Sequence, residues 1–254
     1  MPGAAGLCAL YVLAVIAALP HLFYPFGDSA LDAPGFVAAQ VGGAEVIVAA
    51  AQAGAPAVLV LPGNTASVAA TGPVLARYRQ AGFEVIALRY RGSDGVEGRP
   101  TEAALKADAQ AVIDVLADEG RAVVLHGVSL GAGLALWLAG QGDPVAVVLD
   151  APFARGCEIV ARTAGIPACH LPGPRWDSLA AAADVHAPVL IRHGGADQTI
   201  PAADSARLAE RLRATGSPVA RVVVPSGTHD DLLLNPEADE ALSAFIDRVL
   251  AGQP

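Results

Sequence analysis

Apolar residues in this chain fall into short blocks of two kinds. One kind is a brief aliphatic run bounded by Gly, Pro or Asp: A-V-L-V-L at 57–61, E-V-I-A-L-R-Y at 84–90, A-V-V-L-H at 122–126, V-A-V-V-L at 145–149, P-V-L-I-R-H at 188–193 and V-A-R-V-V-V at 219–224. Segments that are apolar on both faces are expected of parallel strands covered by helices on each side. The other kind is longer and amphipathic, and predicts helices at about 68–80, 101–119, 202–214 and 237–250. In the second of these Leu105, Val112 and Leu116 form one stripe and the acidic residues the other. Upstream, the alternation within 36–51 breaks at Gly42-Gly43, a hairpin signal that places two antiparallel strands at one edge.

Strands alternating with helices at this spacing predict an α/β domain over 36–254, built on a mostly parallel twisted sheet with right-handed crossovers and helices on both faces. Residues 151–187 interrupt the alternation. They lack a strand run, contain Gly, Pro, Cys157 and Cys169, and are expected to form a small cap or a long connection over the sheet. The two cysteines are close enough in sequence to permit a bridge without requiring one.

Composition changes the picture in two places. The 254 residues are 54 % hydrophobic with a formal net charge of −9, and the only lysine is Lys106, so no basic surface exists to neutralise phosphates and nucleic acid is excluded as a partner. With three cysteines and no Cys-x-x-Cys or His/Cys cluster, neither a zinc site nor a disulfide framework is expected, and no cofactor or metal is implied. Part of the apolar excess lies in residues 1–26. The stretch 4–19 is uncharged, and apolar character resumes after Pro20 and His21 as far as Phe26. It falls between a signal-peptide core and a spanning helix in length. No Lys or Arg precedes it and no A-x-A site follows, so the expectation is a single-pass N-terminal membrane anchor over residues 4–26. A secreted or periplasmic product after signal cleavage is the alternative. The domain core should then be complete from about residue 36, and loss of residues 1–26 should spare activity.

The chemistry-bearing stretch is A-V-V-L-H-G-V-S-L-G-A-G-L-A-L-W-L-A-G at 122–140, a buried strand, a sharp turn and a helix. Gly127 and Gly131 flank Ser129 two residues to either side, where larger side chains would collide as the chain reverses. Such a turn lifts the serine hydroxyl to the carboxyl edge of the sheet. It also leaves the Leu130 N–H, in the first turn of the helix, free to meet a developing oxyanion. A serine so placed needs an imidazole to take its proton and a carboxylate to orient that imidazole. His229, in G-T-H after the last strand run, is the candidate base, whereas His21, His126, His170, His186 and His193 lie out of order or in other roles. Asp197, in G-G-A-D-Q-T-I-P, is the candidate acid. Asp150, at the end of the previous strand, is its rival. A second oxyanion donor is expected from the backbone N–H of Asn64, after Pro62-Gly63.

The chain resembles the BEM46/ABHD13-like family of α/β-hydrolases. The matching pieces are L-P-G-N-T-A at 61–66, L-R-Y-R-G-S-D-G-V-E-G-R-P at 88–100, H-G-V-S-L-G at 126–131, H-G-G-A-D-Q-T-I-P at 193–201 and G-T-H-D-D-L at 227–232. The resemblance implies the α/β-hydrolase fold, a hydrophobic N-terminal segment, a small cap and a triad of Ser129, Asp197 and His229. Pro62 departs from the pattern by standing where relatives usually have histidine. The expected function is therefore a serine hydrolase acting on a small-molecule carboxylic ester or thioester through an acyl-enzyme. The alternative is a non-catalytic, membrane-attached binding or scaffold protein that keeps the fold. Oligomeric state, natural substrate and membrane orientation are not legible.

Overall fold

The computed structural model describes residues 4–26, 34–65, 67–93 and 95–253. Eight strands form one sheet: β1 (Val37–Val41), β2 (Ala44–Ala49), β3 (Ala57–Leu61), β4 (Glu84–Leu88), β5 (Val123–Val128), β6 (Ala146–Asp150), β7 (Val189–Gly194) and β8 (Val219–Val224). Their order across the sheet is β1-β2-β4-β3-β5-β6-β7-β8. The hairpin β1–β2 and the β2–β4 pair are antiparallel, and every other pairing is parallel. Gly42 and Gly43 make the hairpin because both sit at positive φ, 59° and 82°, as a tight turn matching strand twist requires.

The central strands are buried along their length except at Val128, which ends β5, and their side chains alternate between two cores. On one face Leu59, Leu125, Leu149 and Ile191 meet α3 (Glu102–Asp118), α4 (Leu130–Ala139) and α7 (Ala202–Ala214). On the other Val58, Val124, Val148 and Leu190 meet α2 (Gly72–Gln80) and α8 (Pro236–Leu250). Helix starts follow local chemistry. Thr101 Oγ1 accepts the Ala104 N–H at the head of α3, and Asn235 Oδ1 accepts the Glu237 N–H at the head of α8.

Between β6 and β7 the chain forms α5 (Gly156–Ala164), a short 3₁₀ turn at 168–170, and α6 (Ser178–Ala181). A disulfide joins Cys157, in the first turn of α5, to Cys169. The segment closes on itself through an antiparallel bridge between Arg155 and Asp177.

The N-terminal expectation is corrected. Residues Ala4–Phe23 form a helix, α1, but among the described residues no helix is long and apolar enough to cross a membrane. The C-terminal end of the stretch is instead spent inside the protein. Phe23 and Tyr24 belong to the buried core, Val15 packs against that core, and the Tyr11 hydroxyl donates to Ala164 O at 2.8 Å. The core is therefore not complete from residue 36, because it includes residues 23 and 24. Residues 1–3, ahead of the expected anchor, lie outside the described residues.

Candidate active site

Ser129 stands between β5 and α4 at φ 51°, ψ −109°, a conformation that L residues rarely adopt. Its N–H donates to Asp150 O on the neighbouring strand at 2.8 Å, which fixes the turn against β6. The flanking glycines are required by contact rather than by φ. A Cβ at Gly131 would lie 2.0 Å from Leu61 O, and one at Gly127 would lie 2.2 Å from Gly131 O. Any side chain there would push the turn out of the sheet.

The structure brings Ser129, His229 and Asp197 into one hydrogen-bonded chain. His229, on the turn after β8, has Nε2 3.1 Å from Ser129 Oγ and Nδ1 2.7 Å from an Asp197 carboxylate oxygen. The other Asp197 oxygen accepts the Thr199 and Ile200 N–H groups, each at 2.8 Å. Burial alone would raise the Asp197 pKa, but hydrogen bonds from His193, His229 and the Ile200 N–H outweigh it and hold the carboxyl well below the usual range. The group is ionised at neutral pH, with one oxygen aimed at the imidazole.

Asn64 and Leu130, named for their backbone N–H groups, both line the cavity in front of Ser129. The loop carrying Asn64 is close: a Cβ on Gly63 would be 3.6 Å from the Ser129 Cβ. Its position is held by Pro62, whose carbonyl accepts the buried Tyr90 hydroxyl at 2.7 Å. Tyr90 in turn stacks on Phe26, with ring centroids 5.6 Å apart. The loop is thus anchored through a main-chain atom, a role proline at 62 fills as well as any residue.

Asp150 is not part of this chain. Its carboxylate takes a two-pronged hydrogen bond from Arg192, Nε at 2.7 Å and Nη2 at 2.5 Å, and a third contact from His126 Nε2 at 2.7 Å. Arg192 also donates to Ala238 O at 2.8 Å, and His126 Nδ1 lies 3.1 Å from the Tyr78 hydroxyl. All four side chains are buried. Burial lowers the His126 pKa, so the ring is neutral and the Arg192 charge is what offsets the burial of Asp150, holding its carboxyl down at about 2. The sequence carried one signal for this network. Arg192 directly follows the apolar run 189–191 in the same strand stretch, and a charge buried there must be paired.

Sequence reasoning also missed His193 and the N-terminal aromatics. His193 Nε2 donates to Ile200 O at 2.9 Å and lies 3.4 Å from Asp197, so the candidate acid sits between two imidazoles. The cavity, about 320 Å³, is walled mainly by Phe23, Leu130, Phe153, Ile159, Val160 and Ile200, with Thr163, Thr199 and Asp230 at its polar parts. Arg155 and Arg162 are engaged elsewhere, by Glu158 and Asp177 and by Asp204 respectively. Among the described residues no group of three His, Cys, Asp or Glu side chains is arranged to hold a metal.

A family model described as the alpha/beta hydrolase family matches residues 57–172. The chain has the α/β-hydrolase fold. It is 36 % identical over 181 residues to the uncharacterized protein Rv2307c of Mycobacterium tuberculosis, covering 69 % of its own length and 63 % of that relative. It is 32 % identical over 176 residues to human Protein ABHD12B, covering 60 % of itself and 49 % of that protein. The matched stretch thus spans under two thirds of these relatives. In fold it is similar to the Pyrococcus furiosus esterase Pf2001, with a TM-score of 0.67 at 18 % identity over 84 % of this chain and 89 % of that one. ABHD12B fits the resemblance read from the motifs at 61–66, 88–100, 126–131, 193–201 and 227–232.

Proposed function

We propose that this α/β-hydrolase is a serine esterase, cleaving carboxylic esters or thioesters of apolar acyl groups through an acyl-enzyme on Ser129. The observation that carries the reading is the hydrogen-bonded chain Ser129–His229–Asp197 opening into a cavity with apolar walls. His229 Nε2 accepts the Ser129 proton as Oγ adds to the acyl carbonyl carbon. Asp197 holds Nδ1 protonated and stabilises the imidazolium. The N–H groups of Asn64 and Leu130 receive the carbonyl oxygen as it becomes negative. The imidazolium then protonates the departing alcohol or thiol, whose bond to the carbonyl carbon breaks. In the second half His229 takes a proton from water, hydroxide oxygen adds to the acyl carbon, and the acid leaves as Ser129 regains its proton. In this reading residues 151–187 serve as the cap. The esterase so named among the fold neighbours is consistent with it.

A fluorophosphonate probe tests the reading. The expected result is covalent labelling of the native protein at Ser129, abolished in Ser129→Ala, with ester turnover falling by at least about 10³-fold in that variant. A native protein that neither labels nor turns over any ester of a chain-length panel would refute it.

A further inference from the structure

Phe23 reaches the cavity from outside the sheet-and-helix framework that builds the rest of it. It is the last residue of α1, is 7 % exposed, and lines the same cavity as Ser129, together with Ile159 and Val160 of α5. Its ring lies hard against the start of α5. A Cβ built on Gly156 would be 3.0 Å from the Cε1 and Cζ atoms of Phe23, so the glycine makes room for the ring. Next to it lies a second, much smaller void of about 10 Å³, walled by Phe23, Val160, Cys157, Ala168 and Leu171 and closed by residues 172–175, which include Arg175. Phe23 and Val160 line both spaces, and the phenyl ring is a partition between them.

We infer that Phe23 is the end wall of the acyl pocket and sets the longest acyl chain the enzyme accepts, the N-terminal helix thereby supplying a specificity-determining residue. This rests on the esterase reading above. The partition is held from two sides. Tyr24, the next residue, accepts the Trp176 Nε1–H at 3.0 Å, and Phe26 stacks on Tyr90, the residue that fixes the Asn64 loop. The segment that ends the pocket is therefore tied to the segment that presents the oxyanion donors. Beyond the ring the walls are mainly apolar, Val160, Ala168, Leu171 and the Cys157–Cys169 disulfide, with Arg175 the one charged residue among them, so a longer chain admitted there would meet mostly hydrocarbon.

The experiment is a series of p-nitrophenyl esters, from acetate through butanoate and octanoate to dodecanoate, on the native chain and on Phe23→Ala, Phe23→Leu and Phe23→Trp. The expected result is that the octanoate-to-butanoate ratio of kcat/KM rises about tenfold in Phe23→Ala, rises less in Phe23→Leu, and falls in Phe23→Trp, tenfold being about the discrimination gained when an apolar pocket takes one further methylene. Phe23→Trp keeps a large ring in place, so the prediction stays open to test if the alanine variant fails to fold. An unchanged chain-length profile in Phe23→Trp or Phe23→Leu, with the native enzyme active, overturns the inference. Calorimetric binding of straight-chain fatty acids to Ser129→Ala protein reads the wall without turnover. The chain length at which affinity stops rising should be shorter with Phe23→Trp, and an unmoved break point overturns the inference whatever becomes of the esterase reading.

Discussion

At the scale of single residues, two buried aspartates compete for the same description in sequence, and their neighbours separate them. Asp197 has one oxygen on His229 and its other on two loop N–H groups, whereas Asp150 is consumed by Arg192 and His126 beneath the turn. The two asparagine variants should therefore fail differently. Asp197→Asn should keep the fold and lose about four orders of magnitude in kcat/KM, because an amide at that place favours the wrong tautomer of His229. Asp150→Asn leaves the Arg192 guanidinium buried without its counter-charge, a loss of about 3–5 kcal/mol. In a chain of this size that lowers Tm by on the order of 10 °C. The pH dependence carries the same signature. The folded-state carboxyl of Asp150 is depressed, so its contribution is complete above the ordinary value near 4 and fades as pH falls toward about 2, a loss that Asp150→Asn should not show. Kinetics and thermal melts of both variants decide it. A mild Asp197→Asn beside an inactive but fully stable Asp150→Asn would reverse the assignment. The serine turn and the imidazole were legible because glycine spacing and chain order specify them. The partners of Asp150 were not, since they come from β5 and β7, and long-range pairing leaves no local pattern beyond the charge of Arg192 in an apolar strand.

At the scale of elements, the strands and most helices were readable because burial on both sheet faces forces unbroken apolar runs, and because amphipathic helices must show one stripe. The hairpin, β3, α7 and β8 lie where the pattern puts them. The helix expected from Val68 begins instead as a 3₁₀ turn at Ala69–Thr71 and becomes α-helical at Gly72, with Pro73 in its first turn. Least legible was 151–187, whose short elements lack the length for a periodic signal. The disulfide compensates for that shortness. It ties the first turn of α5 to residue 169, and α5 carries Ile159, Val160 and Thr163 of the cavity wall. Closing a loop of 12 residues stabilises by about 3 kcal/mol relative to the open chain. Replacing both Cys157 and Cys169 by serine should lower Tm and raise KM for long-chain esters, through a wall that no longer holds its place. Two fewer thiols should titrate in denatured protein before reduction than after. A melt and a thiol count unaffected by reductant would remove this role.

For the whole molecule, the telling feature is that the N-terminal helix belongs to the domain it precedes. An apolar run has the same sequence signature whether lipid or protein covers it, and nothing local distinguishes Phe23, Tyr24 and Phe26 from the residues before them. What distinguishes them is where they arrive: Phe23 in the cavity wall, Tyr24 on Trp176, Phe26 on Tyr90. Removing residues 1–26 should therefore not yield an unaffected enzyme. It strips two buried aromatic side chains from the core, a change of the kind that costs about 3–5 kcal/mol for each large side chain where the space does not collapse. It leaves the Trp176 Nε1–H without the Tyr24 hydroxyl, and it unsupports the ring that pins Pro62 and the Asn64 loop. The expected outcome is a chain that melts well below the full-length protein, with kcat lowered as well as KM raised, because both the pocket wall and the oxyanion loop lose their backing. Differential scanning calorimetry and ester kinetics on the two chains measure it. A truncated protein with the native Tm and native kcat would mean that residues 23–26 only rest on the domain, and that the cavity is closed without them.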